Sequence, residues 1–167
     1  MTSSNGHLKV RSLKELLAMQ PPEILFLVEP QILATAGSCV IFGDAGTWKS
    51  WLCLELGFAV ADGVPWLGFK TRKARVLLVQ AEQAEALYRN RVDKYVQKRH
   101  LLPQDMYFAT DTALKLDVFY GVAQLEYAIR QVQPKLVILD CLYKVLTGTE
   151  NDGPSMTKFT DGISRLQ

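Results

Sequence analysis

A glycine-bearing turn between two apolar runs carries the residues with the clearest chemistry. The turn reads Gly43-Asp44-Ala45-Gly46-Thr47-Trp48-Lys49-Ser50, and it follows the apolar run 40–42. Small residues allow a sharp turn, so that successive backbone N–H groups can point at the oxygens of a polyphosphate. A helix that begins near Lys49 adds the positive end of its dipole. The order of apolar strand, glycine turn and helix therefore predicts a phosphate-binding loop, here called the phosphate loop (43–50).

The residues at the end of this loop have distinct predicted roles. We expect the Lys49 ammonium at the β- and γ-phosphates of a nucleoside triphosphate, and the Ser50 hydroxyl on Mg²⁺. The usual pattern is G-x-x-x-x-G-K-[ST], and Trp48 stands where the second glycine belongs. A bulky residue is strained there if the position needs a positive φ, and Gly46 is then the alternative source of flexibility. The competing interpretation is an ordinary strand–turn–helix with a chance Lys-Ser pair.

Two carboxylates follow predicted strands elsewhere in the chain. Asp140 closes the apolar run 136–139, and Glu82 lies just beyond a strand that ends near Gln80. A carboxylate at the end of a buried strand beside a phosphate loop can hold Mg²⁺, directly or through water. Hydrolysis also needs a group that orients and polarises water, and we expect Glu82 in this role. The alternative for both residues is a purely structural carboxylate at a strand end.

Alternating strands and helices must bring these groups together. Strands are predicted at 24–28, 40–42, 76–79, 106–109 and 136–140, and helices at 12–19, 49–61, 83–98, 120–132 and from 155 onward. This alternation indicates an α/β fold with a mostly parallel sheet flanked by helices. Ligands bind at the carboxyl edge of such sheets, so the phosphate loop, Glu82 and Asp140 are expected to converge there. We divide the chain into a tail with a short helix (1–20) and a core domain (21–167).

Composition limits the classes of function. The chain has 167 residues, a net charge of +2 and 49% hydrophobic residues. It is long enough for one domain with a core, and its charge neither requires nor excludes nucleic-acid binding. Cys39, Cys53 and Cys141 lack metal-ligand spacing, which predicts free, buried thiols in a reducing compartment. The polar start does not look like a secretory signal and no apolar run is long enough to span a membrane, so we expect a cytoplasmic protein.

Together these features resemble the RecA-like ATPases, and among them the RepA-type hexameric helicases and related phage and plasmid proteins. The resemblance spans roughly Ile24 to Gln167 and rests on 43–50, on Val79-Gln80-Ala81-Glu82 and on 136–140, while 61–68 is similar to the linker after the loop helix. It implies a P-loop NTPase fold that binds ATP and Mg²⁺, with phosphate on Lys49, metal on Ser50 and Asp140, and water on Glu82. Some proteins of this kind carry an aromatic residue before the loop lysine, so Trp48 is interpreted as a variant.

The resemblance also implies a function, although a likeness of fold does not fix the biological task. We expect in-line attack of water on the γ-phosphate, with the loop amides, Lys49 and Mg²⁺ stabilising the transition state. The domain would act in DNA replication or recombination as part of a homo-oligomer such as a hexamer, with single-stranded DNA as a partner. Arg89 and Arg91 are candidates for an arginine finger given to a neighbouring subunit.

Two other functions stay open at this point. RecA-like cores continue with a further strand that carries a polar sensor, so the sequence is expected to be truncated at its C-terminus. This feature and Trp48 favour a regulatory or assembly module that holds ATP with little turnover. The second alternative is a small-molecule kinase. The position of Glu82 directly after a strand argues against this alternative.

Overall fold

A parallel three-stranded sheet forms the centre of the molecule, which confirms the predicted α/β class. The computed structural model describes residues 8–20, 24–100, 102–149 and 151–166. The described strands are β1 (Phe26–Val28), β2 (Leu33–Ala34), β3 (Val76–Gln80), β4 (Met106–Thr110) and β5 (Leu136–Asp140). The described helices are α1 (Leu13–Ala18), α2 (Lys49–Asp62), α3 (Glu85–Arg99), α4 (Phe119–Val132) and α5 (Gly153–Ser164), with a short 3₁₀ helix at Leu142–Val145.

The register of the sheet aligns the ends of its strands. The order is β4-β3-β5, and both neighbours run parallel to β3. Gln80, the last residue of β3, is paired with Thr110 on one side and with Asp140 on the other. All five residues of β3 are buried, as expected for a central parallel strand that reads as a continuous apolar run. The segments that leave these strands therefore begin at the same edge.

Two apolar cores cover the two faces of the sheet. One core joins α2 and α3 to alternate residues of β3 and β5, among them Val76, Leu78 and Ile138. The other core joins α4 and α5 to the opposite set, which includes Leu77 and Val79. Side chains alternate between the faces of a strand, so each face holds its own helix pair. The packing of α2 on the sheet then fixes the position of the phosphate loop, because α2 begins with the last two residues of that loop.

The predicted helices exist with small shifts at their ends. Ser12 and Glu15 form the predicted capping box at the start of α1. The helix α2 ends at Gly63, whose φ of 75° suits a residue without a side chain. Asp152 caps α5, which therefore begins at Gly153 and not at Ser155. The proline pair at 21–22, expected to end the first helix, lies outside the described residues.

The predicted strand at 40–42 is wrong. These residues belong to no strand of the described chain, and Val40 and Phe42 are 72% and 89% exposed. A strand needs a hydrogen-bonded neighbour, and the described sheet ends at β5 on one side and at β4 on the other. An apolar run shows that a segment suits a sheet, but it does not supply a partner.

Two smaller predictions also need correction. The strand expected at 24–28 is confirmed only in its second half, where β1 pairs with β2 in an antiparallel hairpin outside the parallel sheet. The three cysteines are free, as predicted, but Cys39 is exposed and Cys53 and Cys141 are only partly buried. Cys39 precedes the segment 40–42, so its exposure follows from the same lack of a neighbouring strand.

Candidate functional site

The phosphate loop is a solvent-exposed turn crossed by its own lysine. Lys49 Nζ donates hydrogen bonds of 2.7 Å to the carbonyl oxygens of both Gly43 and Asp44. Thr47 Oγ1 also donates to the Asp44 carbonyl, at 2.7 Å. The ammonium therefore lies over the turn, where an anion would meet it together with the first N–H groups of α2.

Trp48 takes the backbone conformation that the loop pattern reserves for glycine. Its φ is 63° and its ψ is 17°, in the left-handed region, and it is the residue from which α2 begins. This conformation costs a residue other than glycine about 1–2 kcal/mol, so the strain expected for a non-glycine residue is present. The indole is 72% exposed and lines a groove between α2 and α3, together with Trp51 and Tyr95. It thus lies to the side of the loop.

Gly46 has open space around it in the phosphate loop. Gly46 has a φ of 80°, and a Cβ added there would meet no atom of the described chain within 4 Å. Gly46 therefore contributes to the tight turn, but it does not replace the left-handed conformation of Trp48.

Ser50 and Asp140 meet although 90 positions separate them in the chain. Ser50 Oγ donates to Asp140 Oδ1 at 2.9 Å. Asp140 is only 4% exposed, and its Oδ2 has no hydrogen-bond partner in the described part of the chain. Burial raises the pKa of Asp140, while the Ser50 hydroxyl and the Arg91 guanidinium oppose the rise. The fold therefore holds a carboxylate oxygen that is buried and unpaired.

These atoms fit a magnesium ion. A hydroxyl, a carboxylate and phosphate oxygens are ligands that Mg²⁺ prefers, and it usually keeps several waters as well. The unpaired Asp140 Oδ2 is an acceptor that a hydrated cation would satisfy. Within the described ranges no three His, Cys, Asp or Glu residues cluster around a possible ion, so the fit is to a nucleotide-linked ion and not to an all-protein cage.

Glu82 lies on the turn after β3, at the same edge. Its backbone N–H donates to Gln80 Oε1 at 2.5 Å, which fixes the turn on a fully buried side chain. Tyr143 Oη donates to Glu82 Oε1 at 3.1 Å, and Cys141 Sγ donates to Oε2 at 3.8 Å. Glu82 itself is exposed, and so is Glu85 on α3. The phosphate loop, Glu82 and Asp140 thus meet at one edge of the sheet, as the alternation of elements predicted.

Several residues around this site were missed by the sequence reasoning. Gln80 had a signal, because a glutamine at the end of an apolar strand is unusual in a buried position. Tyr143 had none, since only the fold places the segment after β5 beside Glu82. The sequence offers Arg91 as a candidate finger for a neighbour. Its guanidinium lies 5.6 Å from the ring centre of Trp51 and 5.7 Å from that of Tyr88 in its own chain.

Two adjacent cavities extend the groove between α2 and α3. One has a volume of about 410 Å³ and the other of about 320 Å³, and both are lined by Trp51 and Lys94. The second also reaches Trp48, Lys98 and Arg99. Arg99 is ion-paired with Glu55 and lies over the ring of Tyr95. The groove thus combines aromatic rings with cations beside the phosphate loop.

The parallel sheet, the open loop at the start of α2 and its link to a strand-end carboxylate define the class of P-loop nucleotide-binding proteins. A family model described as an AAA domain matches residues 6–167. The chain therefore belongs to this family of ATP-binding P-loop ATPases. A search of curated proteins found no match. In the part of the chain that the structure describes, no helix combines the length and apolar character needed to cross a membrane.

Proposed function

We propose that this chain hydrolyses ATP with Mg²⁺ at the edge of the sheet where the phosphate loop meets Asp140. The observation that carries the proposal is the Ser50–Asp140 hydrogen bond of 2.9 Å, with the second oxygen of Asp140 buried and unpaired. A carboxylate is rarely left in this condition without a cation to satisfy it. The phosphate loop supplies the matching anion site within reach of the same hydroxyl.

Each residue has a defined task in this reaction. The loop amides and the start of α2 bind the phosphate oxygens, and Lys49 moves from the carbonyls of Gly43 and Asp44 to the β- and γ-phosphates. Bound Mg²⁺, held by Ser50 and Asp140, would neutralise charge that develops on the phosphates. Glu82 orients the attacking water and accepts its proton. Arg91, stacked in its own chain, is not assigned as a finger for a neighbour.

One feature of the structure supports a role in a DNA-dependent, oligomeric motor of the RepA-type helicase kind. The groove beside the loop pairs exposed and partly buried rings with Lys94, Lys98 and Arg99, which is the chemistry that single-stranded nucleic acid requires. Some P-loop NTPases take an arginine from a second protein to complete the site, and in the proposed homo-oligomer a neighbouring copy would supply it. The alternative is a regulatory module that binds a nucleotide with little turnover. The strained Trp48 next to Lys49 favours this alternative.

The experiment compares nucleotide binding and turnover in three variants. Lys49→Ala removes a charge-assisted contact of about 1.5–3 kcal/mol, so calorimetry should show Mg·ATP binding weakened by at least about tenfold. Glu82→Gln should keep the affinity of the parent chain but lower phosphate release by about 10²–10⁴-fold, since it removes the base. Lys158→Ala, at an exposed position of α5, is the matched control.

Three results would contradict the proposal in different ways. Equal affinity in the parent chain and Lys49→Ala would remove the phosphate loop as the binding site. Unchanged phosphate release in Glu82→Gln would place the base elsewhere. Tight binding without phosphate release in the parent chain would favour the regulatory module.

A further inference from the structure

The side chain of Glu82 needs a hydrogen-bond partner to keep one orientation, because it is exposed and its neighbours in the described chain do not pack it in place. It lies on an exposed turn, and an exposed glutamate loses considerable side-chain entropy when it is fixed in one rotamer. A group that orients water must nevertheless stay within hydrogen-bond reach of the reacting atoms. The backbone of the turn is anchored through Gln80, which accepts from the N–H groups of Glu82 and Gln83. The carboxylate itself lies beyond that anchor.

We propose that Tyr143 is the positioning residue for Glu82, and that its hydroxyl, by donating to Oε1, sets the orientation of the carboxylate at the site. The distance from Tyr143 Oη to Glu82 Oε1 is 3.1 Å. Cys141 Sγ approaches the other oxygen at 3.8 Å, a weaker contact because a thiol is a weak donor. The inference rests on the proposed ATP hydrolysis and adds to it a residue that acts through Glu82.

The two donors come from one segment, and that segment begins at the metal-binding carboxylate. Tyr143 and Cys141 follow Asp140 by three positions and one position, and Tyr143 lies in the 3₁₀ helix Leu142–Val145. Val145 is buried in the second core, and Lys115 Nζ donates to the carbonyl of Lys144 at 2.6 Å. The segment is therefore fixed independently of Glu82. A rigid support of this kind can orient a side chain on a more exposed turn.

The hydroxyl can be removed with little effect on packing. The Tyr143 side chain is 46% exposed, and the Lys144 ammonium lies 5.2 Å from its ring centre. Desolvation, aided by the neighbouring Cys141 and Glu82, raises the pKa of Tyr143 to about 12. The phenol is therefore a protonated donor throughout the pH range of an activity assay. Phenylalanine keeps the ring and removes only the donor.

The test is a double-mutant cycle on turnover. Tyr143→Phe should lower kcat about tenfold while KM for Mg·ATP stays within about twofold, because the lost contact orients the base and does not bind substrate. In a Glu82→Ala background the same substitution should have no further effect on the residual rate. Tyr127→Phe, at an exposed tyrosine of α4, is the matched control, and thermal melts check that every variant folds.

A second readout does not depend on turnover. With ¹³C-labelled tyrosine, the Cζ resonance assigned through Tyr143→Phe should shift in Glu82→Ala, since the phenol loses its acceptor, while that of Tyr127 should not. A parent chain that hydrolyses no ATP but shows this shift would contradict the proposed hydrolysis and support the contact. Failure of the resonance to shift would overturn the inference. Unchanged or faster turnover in Tyr143→Phe, or an equal loss in the Glu82→Ala background, would also overturn it.

Discussion

Asp140 carries its charge in surroundings that favour the neutral acid. Burial is the largest influence and raises its pKa above the usual 3.8, and the Ser50 hydroxyl and Arg91 reduce the rise without cancelling it. One oxygen accepts from Ser50 and the other has no partner among the described residues. A carboxylate kept for stability by ion pairs and hydrogen bonds would show the opposite shift, so the raised pKa agrees with the proposed cation site.

The raised pKa gives a stability prediction with a definite sign. For an acid whose folded pKa exceeds its unfolded value, the folded state binds more protons in the window between the two values, and stability falls as the pH rises through that window. Asp140→Asn is neutral at every pH. It should therefore melt a few degrees higher than the parent chain at pH 7 without nucleotide, with a difference that shrinks as the pH falls towards about 4, where the unfolded carboxyl also becomes protonated.

Differential scanning calorimetry across this pH range measures the effect. Asp161→Asn, at an exposed position of α5, is the control and should show no such trend. Saturating Mg·ATP should reverse the order of Asp140→Asn and the parent chain, because only the carboxylate binds the cation well. A lower melting temperature of Asp140→Asn at pH 7 without nucleotide would contradict the account.

At the scale of elements, the start of α4 is fixed by a close approach of two backbones. A Cβ added to Gly121 would lie 1.7 Å from the carbonyl oxygen of Lys115. The connection that contains Lys115 is itself held to the segment after β5. Lys115 Nζ donates to the Lys144 and Leu146 carbonyls, and the N–H and hydroxyl of Thr147 donate to Asp117. One glycine thus lets α4 contact the connection that supports the Glu82 site.

Gly121→Ala should therefore destabilise the chain strongly. The clash is with backbone and cannot be relieved by a rotamer change, so we expect a loss of about 3 kcal/mol in the free energy of unfolding, measured by urea denaturation. Gly153→Ala is the matched control, since a Cβ there meets no described atom within 4 Å. Its effect should stay within about 0.5 kcal/mol. Equal stabilities of the two variants would show that the backbone of Gly121 does not pack closely against the Lys115 carbonyl.

At the scale of the whole molecule, positive charge is concentrated in one groove although the net charge of the chain is small. The net charge is only +2, yet one groove beside the phosphate loop is lined by Lys94, Lys98 and Arg99 with a single carboxylate, Glu55. Glu55 is ion-paired with Arg99, which leaves the two lysines without a partner in the described chain. A local patch of this kind can attract a polyanion although the whole protein is nearly neutral.

If single-stranded DNA occupies this groove, Lys98→Ala should weaken binding of an oligo(dT) probe. The slope of log K against log salt should also become shallower by about 0.7, the value for one released counterion on a single strand. Fluorescence anisotropy over a salt series measures both quantities, and Lys158→Ala is the control. Identical slopes for Lys98→Ala and the control would exclude the groove as the path of the strand.

Local residue patterns were sufficient to predict most elements and to single out the candidate site residues. The α/β class followed from alternating apolar runs and amphipathic segments, and the loop 43–50, Glu82 and Asp140 were singled out by residue type and by their position after strands. Such signals are local, because hydrogen bonding along a helix, side-chain alternation in a strand and the needs of a phosphate all act over a few residues.

Contacts between distant segments were decided only in three dimensions. The run 40–42 has the composition of a strand but no neighbour to pair with among the described strands, and the indole of Trp48 lies in a groove beside the loop. Ser50 meets Asp140 across 90 positions, and Tyr143 meets Glu82 across 61. The chain by itself indicated the α/β class and the residues proposed to bind a nucleotide and its metal. The packing of β3 beside β5 decided which side chains contact these residues. This could not be predicted from the sequence, because the contacting segments lie far apart in the chain and no local pattern indicates that they meet.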